Sequence, residues 1–567
     1  MEPPVHPQAP REPGLPADEE IANFNLTDVY AVLSKIESTD QYIVAWEAAA
    51  GKGSAANMRH REGRRLRYKL DDKRKVLRAA ANELSRDQIR RLTILEMPPE
   101  VLLKAFEYFR HPGVEPGLVG WSWPELNANE HSYQRERQNL CDARLVCRAF
   151  EACASPILFS FVAVSLSQAS LDRFVALSRC PGLARAVRGV LIRLPYRPPE
   201  LAADFVRFYQ HRSRLEPYAH LAGLTMPEHR AAFLRAHAGY GRAHEEQHQL
   251  IASGDFVRTV TQSVGGMPNV ITLGVTDREN TIMDYARYVE YAKEGQPEPG
   301  HLHTRLLDPL PWRHTEHPPA RILFELPVAL QATGCALQHV SLDSLRLVDA
   351  FPSATGPDLG TLDSFSQLRA ACQDLRSVSI GDPNEWWAGS RGELLAFDRA
   401  AATEYLHALL SSRRVERVQI ALRPMLGPDS QSFAHEFDVG PLVRRVQWPC
   451  LRELSLMCVV MAEDDLRELL AHLESSSLQR ISLAYVHFRA GSWPDLLDTW
   501  REAVRENRYR HPLRITFNSP SEREKSYDYA FTWQRAAMYV VGAPGVFSNP
   551  FRPRNAWTKI DSAEDSE

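Results

Sequence analysis

From residue 187 onwards, short apolar strings recur with one common spacing. Each string has an aliphatic residue, two intervening residues, a second aliphatic residue, one intervening residue and a third aliphatic residue. The last two aliphatic positions point to one face of a β-strand, and the first anchors the turn that leads into it. Seven such strings lie at residues 187–192, 270–275, 337–342, 375–380, 415–420, 451–456 and 478–483, and residues 513–517 are a further candidate strand.

The segments between the strings carry apolar residues three and four positions apart, which is the spacing of one helix face. Two such faces are Leu466, Leu469, Leu470 and Leu473, and Tyr405, Leu406, Leu409 and Leu410. Strands that alternate with helices predict an α/β fold in which parallel strands are joined by right-handed crossovers.

The strings have the form of the strand segment of a leucine-rich repeat. The later strings start 38, 40, 36 and 27 residues apart, and the earlier intervals are much longer. We therefore expect an irregular leucine-rich-repeat solenoid, in which each unit buries its apolar face against its neighbours. The alternative is a general α/β domain with buried strands.

A different pattern precedes the strings, between residues 92 and 161. Apolar residues again recur at helical spacing, first from Val101 to Phe109 and then from Leu140 to Phe159. Pro98 and Pro99 suit the first turn of a helix, and Glu100 follows where the helix dipole favours a carboxylate. Pro156 is expected to break or restart the second helix.

This stretch resembles an F-box, the short helical module that docks a protein onto the Skp adaptor of a cullin–RING ubiquitin ligase. The family pattern is a Leu-Pro pair, a Glu, two aliphatic residues, an Ile-Phe pair and an aromatic-Leu ending, followed after a gap by Arg-Leu-Val-Cys-Arg-x-Phe. The matching residues are Met97, Pro98, Glu100, Val101, Leu102, Ala105, Phe106, Tyr108, Phe109, Arg144, Leu145, Val146, Cys147, Arg148 and Phe150.

The resemblance implies which residues bind the adaptor or support its binding directly. They are Met97, Pro98, Glu100, Val101, Leu102, Phe106, Leu145, Val146, Cys147 and Phe150. Met97 and Ala105 depart from the usual Leu and Ile, and the insert at residues 110–138 is longer than usual, with Trp121 and Trp123 suggesting that it packs on another part of the protein. The alternative is a two-helix hairpin that belongs to a larger core.

The patterns together predict an order of domains. It comprises a disordered tail at 1–20, helices at 21–90, the F-box-like module at 91–161, the repeat domain with a C-terminal cap at 162–550, and an acidic disordered tail at 551–567. The proline-rich and histidine-rich segment 294–319 is expected to be an exposed loop. Trp533, Tyr539, Val540, Val541 and residues 545–551 are candidates for the cap.

Composition narrows the functional classes. Lys and Arg total 67, Asp and Glu total 71, and the net charge of −4 argues against a protein that binds nucleic acid along its whole length. The eight cysteines are far apart, the N-terminus lacks the apolar core of a signal peptide, and no apolar run is long enough to span a membrane. We therefore expect a cytoplasmic or nuclear protein with reduced cysteines. The basic run at residues 59–78 is interpreted as a solvated helix face rather than a nucleic-acid site.

One motif points to an enzyme. His244, Glu245 and His248 fit His-Glu-x-x-His, in which two histidines on one helix face bind zinc and the glutamate acts as general base. The alternative is a surface helix at residues 228–251 whose apolar face contains Phe233, Leu234, Ala243 and Leu250. We favour the surface helix because both middle positions of the motif are polar.

The order of modules is similar to that of fungal F-box proteins with leucine-rich repeats. That resemblance implies a substrate receptor of an SCF-type ubiquitin ligase, which binds the Skp adaptor, and through it a cullin, and holds an unidentified target protein on its repeats. Such a protein is not an enzyme and needs no cofactor or metal. The runner-up is a repeat scaffold in which the F-box-like helices are structural, and a zinc hydrolase is a distant third.

Overall fold

The computed structural model describes residues 16–48, 54–84, 94–107, 138–215, 226–277, 306–312, 319–343, 362–381, 399–422, 437–518, 521–526 and 530–552, apart from isolated positions within these ranges. The chain divides into two compact units, Met1–Leu102 and Leu103–Glu567. The predictions for the insert at 110–138, for Trp121 and Trp123, and for most of both tails fall outside the described residues.

The helices are numbered here along the chain. They are α1 Asp18–Ile21, α2 Leu26–Ala48, α3 Ser54–Leu84, α4 Pro99–Glu107, α5 Arg148–Leu158, α6 Gln168–Ser178, α7 Pro181–Ala184, α8 Pro199–Ala203, α9 Phe205–Leu215, α10 Met226–Ala252, α11 Asp255–Gly265, α12 Arg321–Ala332, α13 Leu362–Ala371, α14 Arg399–Leu410, α15 Gly440–Arg445, α16 Glu463–Leu473, α17 Trp493–Arg505 and α18 Ala530–Val540. Residues 138–144 are also helical.

In the first unit, α2 and α3 pack together as a long helical hairpin. Val29, Ile36 and Ile43 recur every seventh residue on α2 and are buried, as are Leu70 and Leu77 on α3. A seven-residue repeat keeps one narrow apolar seam facing the partner helix.

A polar layer interrupts this seam. Asp40 lies 3.6 Å from Arg67 and 3.4 Å from Arg74, and all three side chains are partly exposed. Asp71 and Asp72 pair with Arg74 and Lys75 on α3 itself. Several cations of the basic run are therefore neutralised within the hairpin, which agrees with a solvated helix face.

The second unit is built on a nine-stranded sheet. The strands among the described residues are β1 Phe161–Ser165, β2 Gly189–Arg193, β3 Thr272–Thr276, β4 His339–Asp343, β5 Ser377–Ile380, β6 Arg417–Ala421, β7 Glu453–Met457, β8 Val460–Ala462, β9 Arg480–Ala484, β10 His487–Ala490, β11 Arg514–Asn518, β12 Ser521–Glu522 and β13 Lys525–Ser526. The main sheet has the order β1-β2-β3-β4-β5-β6-β7-β9-β11. All of its pairings are parallel, and its strands lie side by side in the order in which they occur along the chain.

All seven apolar strings end on strands of this sheet, and the candidate strand at 513–517 is β11. Pairing places the second aliphatic residue of each string beside the second of the next, as in Val418 beside Leu454 and Leu454 beside Ile481. The third aliphatic residues form a parallel column in the same way, and both columns are buried. The prediction of parallel strands that alternate with helices is confirmed, and the fold is mixed α/β.

The helices that link the strands form a layer of their own. Along the chain, α6, α11, α12, α13, α14, α15, α16, α17 and α18 each contact the next helix of this series. The predicted apolar faces of α14 and α16 are buried, as Tyr405, Leu409, Leu466 and Leu470 illustrate. One continuous core lies between this helical layer and the aliphatic columns of the sheet.

Two consecutive segments near the C-terminus contain the same elements in the same order. In each, a main strand is followed by one residue with positive φ, a short strand and a helix: β7, Cys458, β8 and α16, then β9, Tyr485, β10 and α17. The short strands β8 and β10 pair in parallel in a second sheet. Left-handed backbone at Cys458 and Tyr485 turns the chain out of the main sheet at equivalent places.

Three expectations were wrong in part. Helix α5 runs through Pro156, because the missing N–H affects only one hydrogen bond near the end of the helix. Leu145 and Val146 lie in a turn rather than on a helix face. On α10, Leu234 is 47% exposed, and the buried face instead includes Ala236 and Tyr240.

The segment expected to be an exposed loop, residues 294–319, also contains buried residues. Leu310 and Tyr196 exchange backbone hydrogen bonds of 2.8 and 2.9 Å, and the Trp312 indole N–H donates to the Leu194 carbonyl at 2.7 Å. Leu306 joins a small separate core with Phe208 and residues of α8–α10. Within this segment the structure describes residues 306–310, 312 and 319, and several of these are buried rather than exposed.

Helix α18 contains several of the residues that the sequence analysis named as candidates for a C-terminal cap. Val540, Val546 and Phe551 are buried, whereas Val541 is 38% exposed. Asp498 on α17 accepts hydrogen bonds from the Tyr539 hydroxyl at 2.7 Å and from Asn549 at 2.8 Å. Arg552 donates to Asp495 and Asp498, so this residue of the predicted tail is attached to α17.

Replacing Asp498 with asparagine should lower the free energy of unfolding by about 1 kcal/mol at neutral pH, since the carboxylate is partly exposed. Burial raises the pKa of Asp498, but the hydrogen bonds from Tyr539, Arg552 and Asn549 outweigh it and hold the pKa below the usual 3.8. A depressed pKa gives stability that is present above pH 3.8 and lost as the pH falls through the lower, folded value.

Urea unfolding of both proteins at several pH values tests this expectation. The difference between wild type and Asp498→Asn should shrink below about pH 4, where the wild-type carboxylate becomes protonated. Asp495→Asn is the matched control, because Asp495 contacts Arg552 alone at 3.0 Å and is 55% exposed. An equal loss in the control would contradict the assigned role of Asp498.

Candidate functional site

Helix α4 separates the residues of the F-box-like motif into buried and exposed groups. It begins at Pro99, as predicted, and the amides of Val101 and Leu102 donate to the Pro98 carbonyl at 3.0 and 3.1 Å. Leu102 and Phe106 lie one turn apart and are 3% and 7% exposed, whereas Val101 is 49% exposed. Leu102 and Phe106 therefore lie on the buried face of the helix, and Val101 remains accessible.

The remaining predicted residues on the N-terminal side of α4 are also accessible. Met97 is 37% exposed, and Pro98 and Glu100 are exposed. Glu100 lies in the first turn, as its place in the sequence predicts.

The second half of the motif meets the first through an aromatic pair. The rings of Phe106 and Phe150 are 5.2 Å apart, with an interplanar angle of 77° that gives an edge-to-face contact. Leu140, in the helical segment 138–144, is also buried. Thus two residues of the second unit that the long insert separates in the sequence are in contact in the fold.

A tight turn presents two apolar side chains to solvent. The amides of Leu145 and Val146 donate to the carbonyls of Asp142 and Ala143 at 3.0 and 3.1 Å. Leu145 is 86% exposed and Val146 is 66% exposed. Next to this turn, Cys147 is half-buried in extended conformation as the N-cap of α5, and the Arg144 guanidinium lies 5.0 Å from the centre of the Phe159 ring.

Leu145 is the most exposed of the large apolar residues in the described part of the chain. Leu103, on α4, is 38% exposed. Leu145 and Val146 are adjacent in the turn, so together they form a continuous exposed apolar area that a partner can cover.

The face of the main sheet opposite the aliphatic columns is polar. Its middle row, from β4 to β11, reads Ser341, Ser379, Gln419, Ser455, Ser482 and Thr516. The first residues of β6, β7, β9 and β11 are Arg417, Glu453, Arg480 and Arg514. Ser341 and Ser379 are buried, whereas Gln419, Ser455 and Ser482 are partly exposed and Thr516 is exposed, so the face offers polar groups to a ligand from β6 to β11.

The arginines of this face were missed in the sequence, although a signal was present. The second and third residues of each string lie at the start of the strand. In many strings, one of these two residues is arginine. Examples are Arg376, Arg417, Arg452 and Arg480. The strings predict that these positions point away from the core, so the arginines could have been assigned to the polar face.

The His-Glu-x-x-His motif lies on α10, where it serves packing. The His244 Nδ1–H donates to the Arg197 carbonyl at 2.7 Å. Gln247 is buried and donates to the carbonyls of Leu166 and Pro195. Glu245 and His248 are exposed. Within the described ranges, no group of three or more His, Cys, Asp or Glu residues could hold a metal ion.

Comparison with known proteins yields no relative. No family model matches the chain, no curated protein matches it, and no solved structure matches it. Among the helices that the structure describes, none has both the length and the apolar character needed to cross a bilayer.

Proposed function

We propose that this protein is the substrate-recognition subunit of an SCF-type ubiquitin ligase. The F-box-like module binds the Skp adaptor, and the polar sheet face of the second unit holds a target protein. The protein performs no chemistry itself, because bringing target lysines close to a recruited ubiquitin-conjugating enzyme raises their effective concentration.

The observation that carries this proposal is the exposure of Leu145 and Val146 beside a packed aromatic pair. Phe106 is buried and contacts the partly exposed Phe150 edge-to-face, a contact that does not involve the two exposed apolar side chains in the turn. In a purely structural hairpin, the same positions are free to be polar. A module that docks onto a partner instead keeps them apolar, since their burial supplies affinity.

We also assign the sheet domain to an irregular leucine-rich-repeat solenoid. Three features support this assignment: strands paired in chain order, two columns of aliphatic residues at fixed string positions, and one series of helices that contact one another in turn. The repeated construction of β7–β8–α16 and β9–β10–α17 adds support, since both units have the same order of elements. Such a surface suits the recognition of another protein.

Binding of the full-length chain to purified Skp adaptor tests the ligase assignment. We expect the double variant Leu145→Asp/Val146→Asp to weaken adaptor binding by about thirtyfold or more, because two apolar contacts are replaced by charges that must be desolvated. Both side chains are exposed, so the variant should fold normally. Titration calorimetry measures the affinity, and far-UV circular dichroism verifies the fold.

The matched control is Val206→Asp/Leu234→Asp. These residues are 58% and 47% exposed, and they lie on α9 and α10, outside the F-box-like module. The control should bind the adaptor like the wild type. If folded wild-type protein does not bind the adaptor, the repeat scaffold becomes the best account. Phe106→Ala is a poorer probe, since Phe106 is buried and its loss can unfold the module.

A further inference from the structure

The last four strands of the main sheet carry their charges at one end. On the polar face, β6, β7, β9 and β11 begin with Arg417, Glu453, Arg480 and Arg514, which are lateral neighbours in the sheet. The next positions on the same face are Gln419, Ser455, Ser482 and Thr516, which are polar, and the last are Ala421, Met457, Ala484 and Asn518, of which only Asn518 is polar. Adjacent strands are about 4.8 Å apart, so the charged residues form one closely spaced row.

Two further arginines extend this row at the residues just before the strands. Arg376 and Arg452 lie on either side of Glu416, each with a guanidinium nitrogen 3.7 Å from its carboxylate. Their side chains are 52% and 58% exposed. We call Arg376, Arg417, Arg452, Arg480 and Arg514 the arginine row.

The carboxylates within the row do not balance its charge. Glu453 pairs with Arg480 at 3.4 Å, and Glu416 is shared between two arginines. Arg417 and Arg514 have no carboxylate partner among the residues described. Five arginines and two glutamates give this surface a positive charge, although the whole chain has a net charge of −4.

A neighbouring histidine responds to this positive field. Burial lowers the pKa of His339 most, Arg417 and Arg376 lower it further, and the result is about 4 despite the opposing effect of Glu416. His339 is therefore neutral at pH 7 and forms a 2.8 Å hydrogen bond with Ser377. The influence of the arginine row thus reaches β4.

We propose that the arginine row binds an acidic peptide segment of the target protein, an inference that rests on the proposed function. Guanidinium groups form charge-assisted, often bidentate, hydrogen bonds with carboxylates. The hydroxyl side chains of Ser455, Ser482 and Thr516 lie on the next polar row, where they offer hydrogen bonds to the peptide backbone. These side chains are small, so a bound backbone can approach the sheet closely.

The two glutamates favour a peptide over a nucleic acid. A nucleic-acid strand carries a negative charge at every nucleotide, so its phosphates would be repelled at Glu416 and Glu453. A peptide can place a neutral or basic residue opposite each glutamate and acidic residues opposite the arginines. The order Arg417, Glu453, Arg480, Arg514 therefore selects for a pattern of charge as well as for its sign.

Fluorescence anisotropy with the full-length protein tests this inference at low ionic strength. The probe is a labelled twelve-residue peptide of alternating Glu and Ser, and the comparison ligands are the Gln–Ser peptide and a thymidine oligonucleotide of equal length. The Glu–Ser peptide should bind best. Arg480→Gln/Arg514→Gln should weaken its binding about fivefold to tenfold, whereas Glu453→Gln should strengthen it about twofold.

The control variant is Arg505→Gln, which makes the same change of charge at an exposed position on α17, in the helical layer. It should leave peptide binding unchanged. Equal binding of the Glu–Ser and Gln–Ser peptides, tighter binding of the oligonucleotide, or an equal loss in Arg505→Gln would each overturn the inference.

The same protein samples are tested for adaptor binding, which keeps the two proposals separate. If the wild-type protein binds the adaptor but not the Glu–Ser peptide, the inference about the arginine row is overturned and the ligase assignment stands. Peptide binding without adaptor binding supports the arginine row and contradicts the ligase assignment.

Discussion

Replacing Gly381 with alanine should lower the free energy of unfolding by about 2 to 5 kcal/mol. Gly381 follows β5 with φ +82°, and its amide donates to the Leu342 carbonyl at 2.7 Å. A left-handed backbone disfavours any residue with a Cβ. At this position, a Cβ would also overlap the carbonyl oxygen of Ala421, so β5 or β6 would have to shift. Equilibrium urea unfolding followed by circular dichroism measures the loss.

Gly334→Ala separates the two causes. Gly334 has almost the same φ, +84°, but a Cβ there meets no atom within 4 Å. The free energy of unfolding of this control should fall by only about 1 to 2 kcal/mol, which is the cost of placing a residue with a Cβ in left-handed backbone. Equal losses in the two variants would show that close packing between strand ends does not constrain Gly381.

Replacing Trp493 with alanine should lower the free energy of unfolding by about 3 to 5 kcal/mol. Trp493 is fully buried at the start of α17 and stacks on Phe488 at 4.2 Å. It also meets Phe517 of β11 and Phe551 of the cap edge-to-face, at 5.9 and 6.5 Å. One ring therefore joins the second sheet, the last main strand and the C-terminal cap.

Trp493→Phe is the appropriate comparison, because it retains a ring that can stack on Phe488 and should lose clearly less stability than alanine. Since the contacts are concentrated at the C-terminal end, hydrogen exchange should increase first in β10, β11 and α18. A loss below about 1 kcal/mol for Trp493→Ala would contradict the central role assigned to this residue.

The main strands could be predicted because each buries two aliphatic residues at fixed spacing. Strand β1 lacked the full pattern, since its first position holds Phe159 instead of an aliphatic residue. Strands β8 and β10 have only three and four residues, too few to show alternation. They depend on pairing with each other, which is a property of the folded chain rather than of the local sequence.

The candidate sites were less accessible to prediction. Helical spacing marks Val101, Leu102 and Phe106 as apolar, but it does not reveal which of them the rest of the molecule covers. The turn at Leu145 and Val146 depends on backbone hydrogen bonds, which the spacing of apolar residues does not predict. The arginines of the sheet face stand at positions whose direction was predictable, but their alignment across strands required the register of the whole sheet.

That register has a consequence for how the protein can change over evolution. Strand β3 starts at Thr272 and pairs with β2 at Gly189, while β9 starts at Arg480 and pairs with β7 at Glu453. The connections between these strand pairs differ greatly in length, yet in both pairs the first residue of one strand lies beside the first residue of the other. Doubling the length of a flexible connection adds only about 0.6 kcal/mol of closure entropy. Insertions and deletions in the connections can therefore accumulate at little cost, while the spacing of the groups that meet a ligand is inherited unchanged.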